Sequence, residues 1–94
     1  MTFKFEISKN LQRAIAKLER KDRNLAIALD KKIRQIIESD GISIQHFKNL
    51  RHDLSDFKRV QVGSFVLVFR LKNNVIIFED FDHPDIIYKK RFII

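Results

Sequence analysis

Arg59-Val60-Gln61-Val62-Gly63-Ser64-Phe65-Val66-Leu67-Val68-Phe69-Arg70-Leu71-Lys72-Asn73-Asn74-Val75-Ile76-Ile77-Phe78 is the stretch that decides the fold. Val60 and Val62 alternate with Arg59 and Gln61, the period of two that a half-buried strand requires. Gly63-Ser64 makes a turn. Beyond it Phe65, Leu67, Phe69 and Leu71 line one face of a second strand, and Val66, Val68 and Arg70 line the other. Lys72-Asn73-Asn74 predicts a hairpin, because asparagine tolerates positive φ. Val75 through Asp82 form a last strand that is apolar on both faces at its start, the pattern of a central strand. Pro84 then suits the first turn of a short helix through Tyr88.

Toward the amino terminus the period changes. Phe3, Phe5 and Ile7 alternate with Lys4, Glu6 and Ser8, which predicts a half-buried strand. Ser8 or Asn10 can cap a helix running to about Lys21, with Leu11, Ala14, Ile15 and Leu18 as one apolar stripe. Arg13, Lys17 and Arg20 fall off that stripe and face water or a partner. Asp22 or Asn24 caps a second helix from about Arg23 to Ser39, and so short a connection makes the two helices an antiparallel hairpin. Asp40-Gly41 predicts the stop, with glycine in the left-handed conformation. Residues 42–56 have no sustained period and hold His46, Arg51 and His52, while Phe47, Leu50 and Leu54 can fasten this connection to the core. The expected fold is α+β, in the order β-α-α-β-β-β, with the helical hairpin on one face of a twisted, mainly antiparallel sheet.

Composition bounds what such a chain does. Its 94 residues, 45% of them hydrophobic, predict one domain over residues 1–94 and not a disordered chain. The absence of cysteine excludes disulfides, thiolate catalysis and cysteine-based zinc sites. The charged amino terminus is unlike a signal peptide. No apolar run approaches the ~18 residues that span a bilayer, so a soluble, cytoplasmic protein is expected. The net charge of +7 is uneven. Residues 75–88 carry Glu79, Asp80, Asp82 and Asp85 with no Lys or Arg, so all 19 bases lie elsewhere. A positive field of that size attracts polyanions, meaning nucleic acid, ribosome or an acidic protein tail, although the same charges also serve solubility.

The element order, in a basic chain of this length, resembles the RelE/ParE superfamily of toxins, and local motifs agree. Leu50-Arg51-His52 looks like the family's Leu-Lys-x-Gly step, with the glycine replaced. Arg59 through Phe65 resembles its Arg-Ile-Arg-Val-Gly-Asp-Tyr hairpin. Val75-Ile76-Ile77-Phe78, then His83 and Tyr88, resembles its closing strand and His-Arg-x-x-x-Tyr ending. The likeness covers most of the chain and is densest over residues 50–88.

The resemblance implies a toxin held inactive in a hetero-oligomer by a cognate antitoxin with an acidic or amphipathic segment. In the RelE branch the activity is cleavage of messenger RNA within the ribosome, without a metal or other cofactor. Such cleavage needs a base for the 2′-hydroxyl, cations around the phosphate and an acid for the leaving 5′-oxygen. By resemblance the catalytic candidates are Arg59, His83 and Tyr88. Arg59 would grip phosphate through its guanidinium fork. His83 would move a proton, and Tyr88 would stack on a base or brace the phosphate. Lys48, Arg51, His52, Gln61, Arg70, Lys89, Lys90 and Arg91 are the candidate RNA-binding residues.

Each of these has a plainer reading. Arg59 equally suits a solvated strand edge, His83 a surface strand end, Tyr88 packing on the sheet, and His46 and His52 a polar loop. Four departures weigh against cleavage. Gln61, Val66, Asp82 and Pro84 stand where family members carry basic residues. Two other activities therefore stay open: a ParE-like toxin that inhibits a protein target such as DNA gyrase, and a degenerate member that only binds antitoxin. Glu79, Asp80, Asp82 and His83 cluster, but clustered carboxylates alone specify no coordination geometry, so no metal is assigned.

Overall fold

Both hairpin turns have the backbone their residues call for. Asn73 and Asn74 adopt φ of 52° and 64°, the mirror-image turn whose twist matches its flanking strands. Gly63 has φ 61°. A Cβ there would meet Leu25 Cδ1 at 3.3 Å, so glycine serves both the turn and the close approach of a helix.

The structure, a computed structural model, describes residues 3–45, 47 and 57–89. Along the chain these form β1 (Lys4–Ile7), α1 (Lys9–Lys21), α2 (Arg23–Ile37), α3 (Gly41–Gln45), β2 (Phe57–Val62), β3 (Phe65–Lys72), β4 (Val75–Asp82) and α4 (Pro84–Ile87). The sheet order is β1-β4-β3-β2. β4 runs parallel to β1 and antiparallel to β3, and β2 pairs antiparallel with β3. The expected α+β architecture is therefore the observed one, with β4 between two neighbours as its doubly apolar start requires.

Ser8 caps α1, its Oγ accepting the Leu11 N–H at 3.1 Å and donating to the Glu79 carbonyl at 2.6 Å. Asp22 caps α2 by accepting the Leu25 N–H at 3.2 Å. The helices cover one face of the sheet. There Leu11, Leu29, Ile33 and Ile36 meet Leu67, Phe69, Ile76 and Phe78 in the main core. Phe47 joins it as expected, edge-on to Phe69 at 5.3 Å.

A bulge fixes how β4 presents its side chains. Val68 pairs with Asp80 but Phe69 pairs with Phe78, leaving Glu79 as the extra residue. Strict alternation from Ile76 and Phe78 would turn Asp80 and Asp82 into the helix-side core. The bulge brings Phe81 into that core instead and sends both aspartates to the opposite face.

Four expectations are corrected. α2 ends at Ile37, two residues before Ser39, where the Ser39 hydroxyl turns back to the Gln35 carbonyl at 2.9 Å. Gly41 does not end that helix in a left-handed turn. It opens α3, which the sequence reading lacked, because Asp40 caps the new helix by accepting the Ser43 N–H at 2.7 Å. β2 begins at Phe57, before Arg59, since Phe57 has its own partner in Arg70. Phe5, expected to be core-facing, is 48% exposed, because β1 forms the outer edge of the sheet. Leu50 and Leu54 lie outside the described residues.

Candidate functional site

The face of the sheet turned away from α1 and α2 is built from three rungs. Gln61, Val66 and Asp82 form one, Arg59, Val68 and Asp80 the next, and Phe57, Arg70 and Ile77 the third. Strand alternation places all nine on this side. A small second core lies here, with Phe57, Val66 and Val68 buried under Ile87 and with Tyr88 packed against it. Pro84 at the helix start and His83 as its cap aim α4 back across the sheet. Arg59 and Tyr88 thus share one face.

Arg59 sits beside that apolar patch. Its Nε is buried and has no hydrogen-bond partner among the described residues, an arrangement that costs about 1–3 kcal/mol until an acceptor arrives. Arg70 is differently placed. Its Nε donates to Glu79 Oε1 at 3.0 Å, and its guanidinium lies 5.6 Å from the centre of the Phe57 ring. That cation is neutralised by the bulge residue and lies over an aromatic ring.

Asp80 is 5% exposed and sits in line with Arg59 across Val68. Its Oδ1 accepts the Phe81 N–H at 2.8 Å. Gln61 is exposed and donates to the Gly63 carbonyl at 3.0 Å, bracing the turn. Lys89 follows Tyr88 and is exposed.

His83 is not brought to Arg59. Its ring stands edge-on to Phe65, 6.3 Å between centres, and Phe65 packs with the helix-side core. Nδ1 accepts the Asp85 N–H at 3.2 Å, with the Asp85 carboxylate 3.7 Å away. With Nδ1 engaged in this cap, Nε2 is the ring nitrogen left to meet a ligand. Lys48, Arg51, His52, Lys90 and Arg91 lie outside the described residues, as does His46.

Two members of this face were missing from the sequence-derived set. Phe57, the platform under Arg70, extends the same-face series Arg59 and Gln61 by one step of two, so alternation alone could have found it. Asp80 was noted only as a carboxylate near others. Its burial depends on the bulge, which no pattern of residue types announces. Among the described residues no three His, Asp or Glu side chains gather as a metal site would need, and no helix is long and apolar enough to cross a membrane.

No family model matches the sequence. A Methanocaldococcus jannaschii protein bearing the toxin name RelE4 is 44% identical over 92 residues, spanning 95% of this chain and 94% of that protein. This chain belongs to the RelE family of toxins. Its fold is also that of solved family structures. The toxin–antitoxin complex RelBE2 of Mycobacterium tuberculosis matches with a TM-score of 0.63 at 16% identity, covering 88% of this chain and 99% of the matched one. The Escherichia coli DinJ–YafQ complex matches at 0.64 with 12% identity, covering 94% and 99%. A histidine-to-glutamine mutant of E. coli YafQ matches at 0.67 with 13% identity, covering 92% and 98%. The RelE-like resemblance of the sequence is thereby met both in a relative and in three dimensions.

Proposed function

We propose that this RelE-family chain is the toxin of a toxin–antitoxin module and that it cuts messenger RNA in the ribosome at the open sheet face. The observation that carries this reading is the Arg59 guanidinium, whose buried Nε lacks an acceptor among the described residues and sits beside an apolar patch. A phosphate oxygen is such an acceptor, and a charge-assisted bond to it is strongest where water is excluded. Tyr88, at the edge of the same patch, offers a ring for a base to stack on. His83, at the end of β4 and apart from Arg59, meets the bound strand through Nε2, with Nδ1 engaged in capping α4. Lys89 extends the cationic rim, and Lys48, Arg51, His52, Lys90 and Arg91, which lie outside the described residues, are proposed as further RNA contacts on the strength of the sequence resemblance alone. The cognate antitoxin, through an acidic or amphipathic segment, would cover this surface, its ordering cost offset by wide contact.

A second reading has its own support. Glu79 neutralises Arg70, and Asp80 and Asp82 face the same side, so this surface is poorer in free cations than RNA cleavage favours. That composition suits a ParE-like toxin acting on a protein target. Inducing the chain and mapping 5′ ends on translated messages separates the two. Codon-phased cuts support the nuclease; growth arrest with DNA damage and no such cuts sinks it.

A further inference from the structure

The outer edge of β1 carries a set of backbone groups that reads the same from either end. Ser8 N–H donates to the Phe78 carbonyl at 2.9 Å, so Glu6 and Lys4, of the same parity, turn their N–H and C=O groups toward β4. Phe3 N–H points the other way, to the Ile37 carbonyl at 2.9 Å. Phe5 and Ile7 therefore direct their backbone groups outward from the sheet. The Ile7 carbonyl already accepts Gln12 Nε2 at 2.9 Å. The Phe3 carbonyl, both groups of Phe5 and the Ile7 N–H are left without a partner among the described residues.

The side chains of this edge are uncovered too. Lys4, Phe5 and Glu6 are exposed. Lys4 and Glu6 lie on the open face, in register with Val75 and Ile77, and neither makes a salt bridge among the described residues. Phe5 lies on the helix side, its ring 6.4 Å from that of Phe78. An apolar groove of about 940 Å³ opens beside it, with Ile7 in the floor and Ile27, Ile33 and Ile37 of α2 in the wall. An edge strand in this condition is a template for another strand.

We propose that two copies of this chain pair antiparallel along β1, about a two-fold axis between their Phe5 residues, joining two four-stranded sheets into one. In that register each Phe5 N–H donates to the second copy's Phe5 carbonyl, and each Ile7 N–H to the second copy's Phe3 carbonyl. Every unpartnered group is used. The two further groups that an uninterrupted ladder would call on, Phe3 N–H and the Ile7 carbonyl, are the two already filled. Lys4 then stands opposite the second copy's Glu6, twice over, at the close spacing of about 4.5 Å between Cα atoms. An axis at Glu6 would set Glu6 against Glu6 and require the filled Ile7 carbonyl. An axis at Lys4 would set Lys4 against Lys4 and require the filled Phe3 N–H. Charge and hydrogen bonding thus select the same register. The two Phe5 rings meet beside the groove and cover apolar surface that one copy leaves in water. A strand from another protein would have to present the Lys4-Phe5-Glu6 pattern in reverse, which a two-fold axis supplies from this chain itself. Since β1 and β2 are opposite edges of the sheet, pairing leaves Arg59 and the open face of each copy uncovered. The dimer is therefore independent of what that face does.

The test is sedimentation equilibrium on the full chain, which should show a reversible and weak monomer–dimer equilibrium, as strands this short imply. Lys4→Glu and Glu6→Lys should each raise the dissociation constant about 10-fold, because both charge pairs turn repulsive. The double variant Lys4→Glu/Glu6→Lys should return to the wild-type value, since exchanging the two charges keeps each pair complementary. Mixing the two single variants should give a mixed dimer of wild-type strength, read by energy transfer between differently labelled copies. Both positions are exposed, so circular dichroism should be alike for all four proteins. A chain that stays monomeric at millimolar concentration overturns the proposal and leaves the edge to a segment of another protein. Equal dimerisation of all four proteins also overturns it, because the copies then meet elsewhere. So does a double variant that fails to restore pairing.

Discussion

On the helix side of the sheet, Leu67, Phe69, Ile76 and Phe78 are fully buried against Leu11, Leu29 and Ile36, without a polar group among them. On the other side, Val66 and Val68 share a smaller patch with Arg59, Asp80 and a helix of one turn. The same strands supply both faces, so the difference comes from what is laid over them. Two capped helices close the first. The second is left with a buried donor that has no partner among the described residues, which is costly for folding and useful for binding an anion. Stability and chemistry are thus divided between two surfaces one strand thick.

If that division holds, variants on the two faces should fail for different reasons. Phe69→Ala should cost about 3–5 kcal/mol and abolish growth arrest by unfolding the chain, as a shifted urea midpoint would reveal. Arg59→Ala should lower message cleavage by about 100- to 1000-fold. Its urea midpoint should move by less than about 1 kcal/mol, because an unsatisfied donor leaves with the lost packing. A large stability loss for Arg59→Ala would erase the contrast between the faces. Asp82→Arg should raise affinity for single-stranded RNA several-fold, more at low salt than high, in an anisotropy titration. No gain would mean that the Asp82 end of the first rung lies beyond the strand's path.

The smallest effect lies away from both faces. The backbone N–H of Ser43, followed by its hydroxyl, holds the Asp40 carboxyl below its ordinary pKa. A lowered value means that the cap on α3 is complete at neutral pH and is lost as pH falls through that value. Protection factors for the amides of residues 42–45, taken relative to the intrinsic rate at each pH, should fall in acid while those of Leu67 and Phe69 stay high.

Most of the fold was legible because its signals are local. The Asn73-Asn74 turn, the caps at Ser8 and Asp22 and the stripes of α1 and α2 each depend on residues within a few positions. Glu79 was not legible as a bulge. The trace it leaves is Phe78 and Phe81 three apart in a strand, which sequence alone reads as a flaw in alternation. Asp40-Gly41 misled because an aspartate that ends one helix equally caps the next. The site was less legible than the fold. Arg70 looks free in sequence, and only the hairpin pairing of β3 with β4 brings Glu79 against it from nine residues away. The reverse is true of Arg59, whose Nε is buried with no partner among the described residues.

The parallel pairing of β1 with β4 also has a bearing on synthesis. Lys4 through Ile7 find their partners only in Val75 through Phe78, so the first strand made waits for the last. While the chain is still being translated its sheet lacks the strand that joins β1 to β3. The open face, too, takes its last row of side chains, Ile77, Asp80 and Asp82, from β4, so it is complete only when the sheet is.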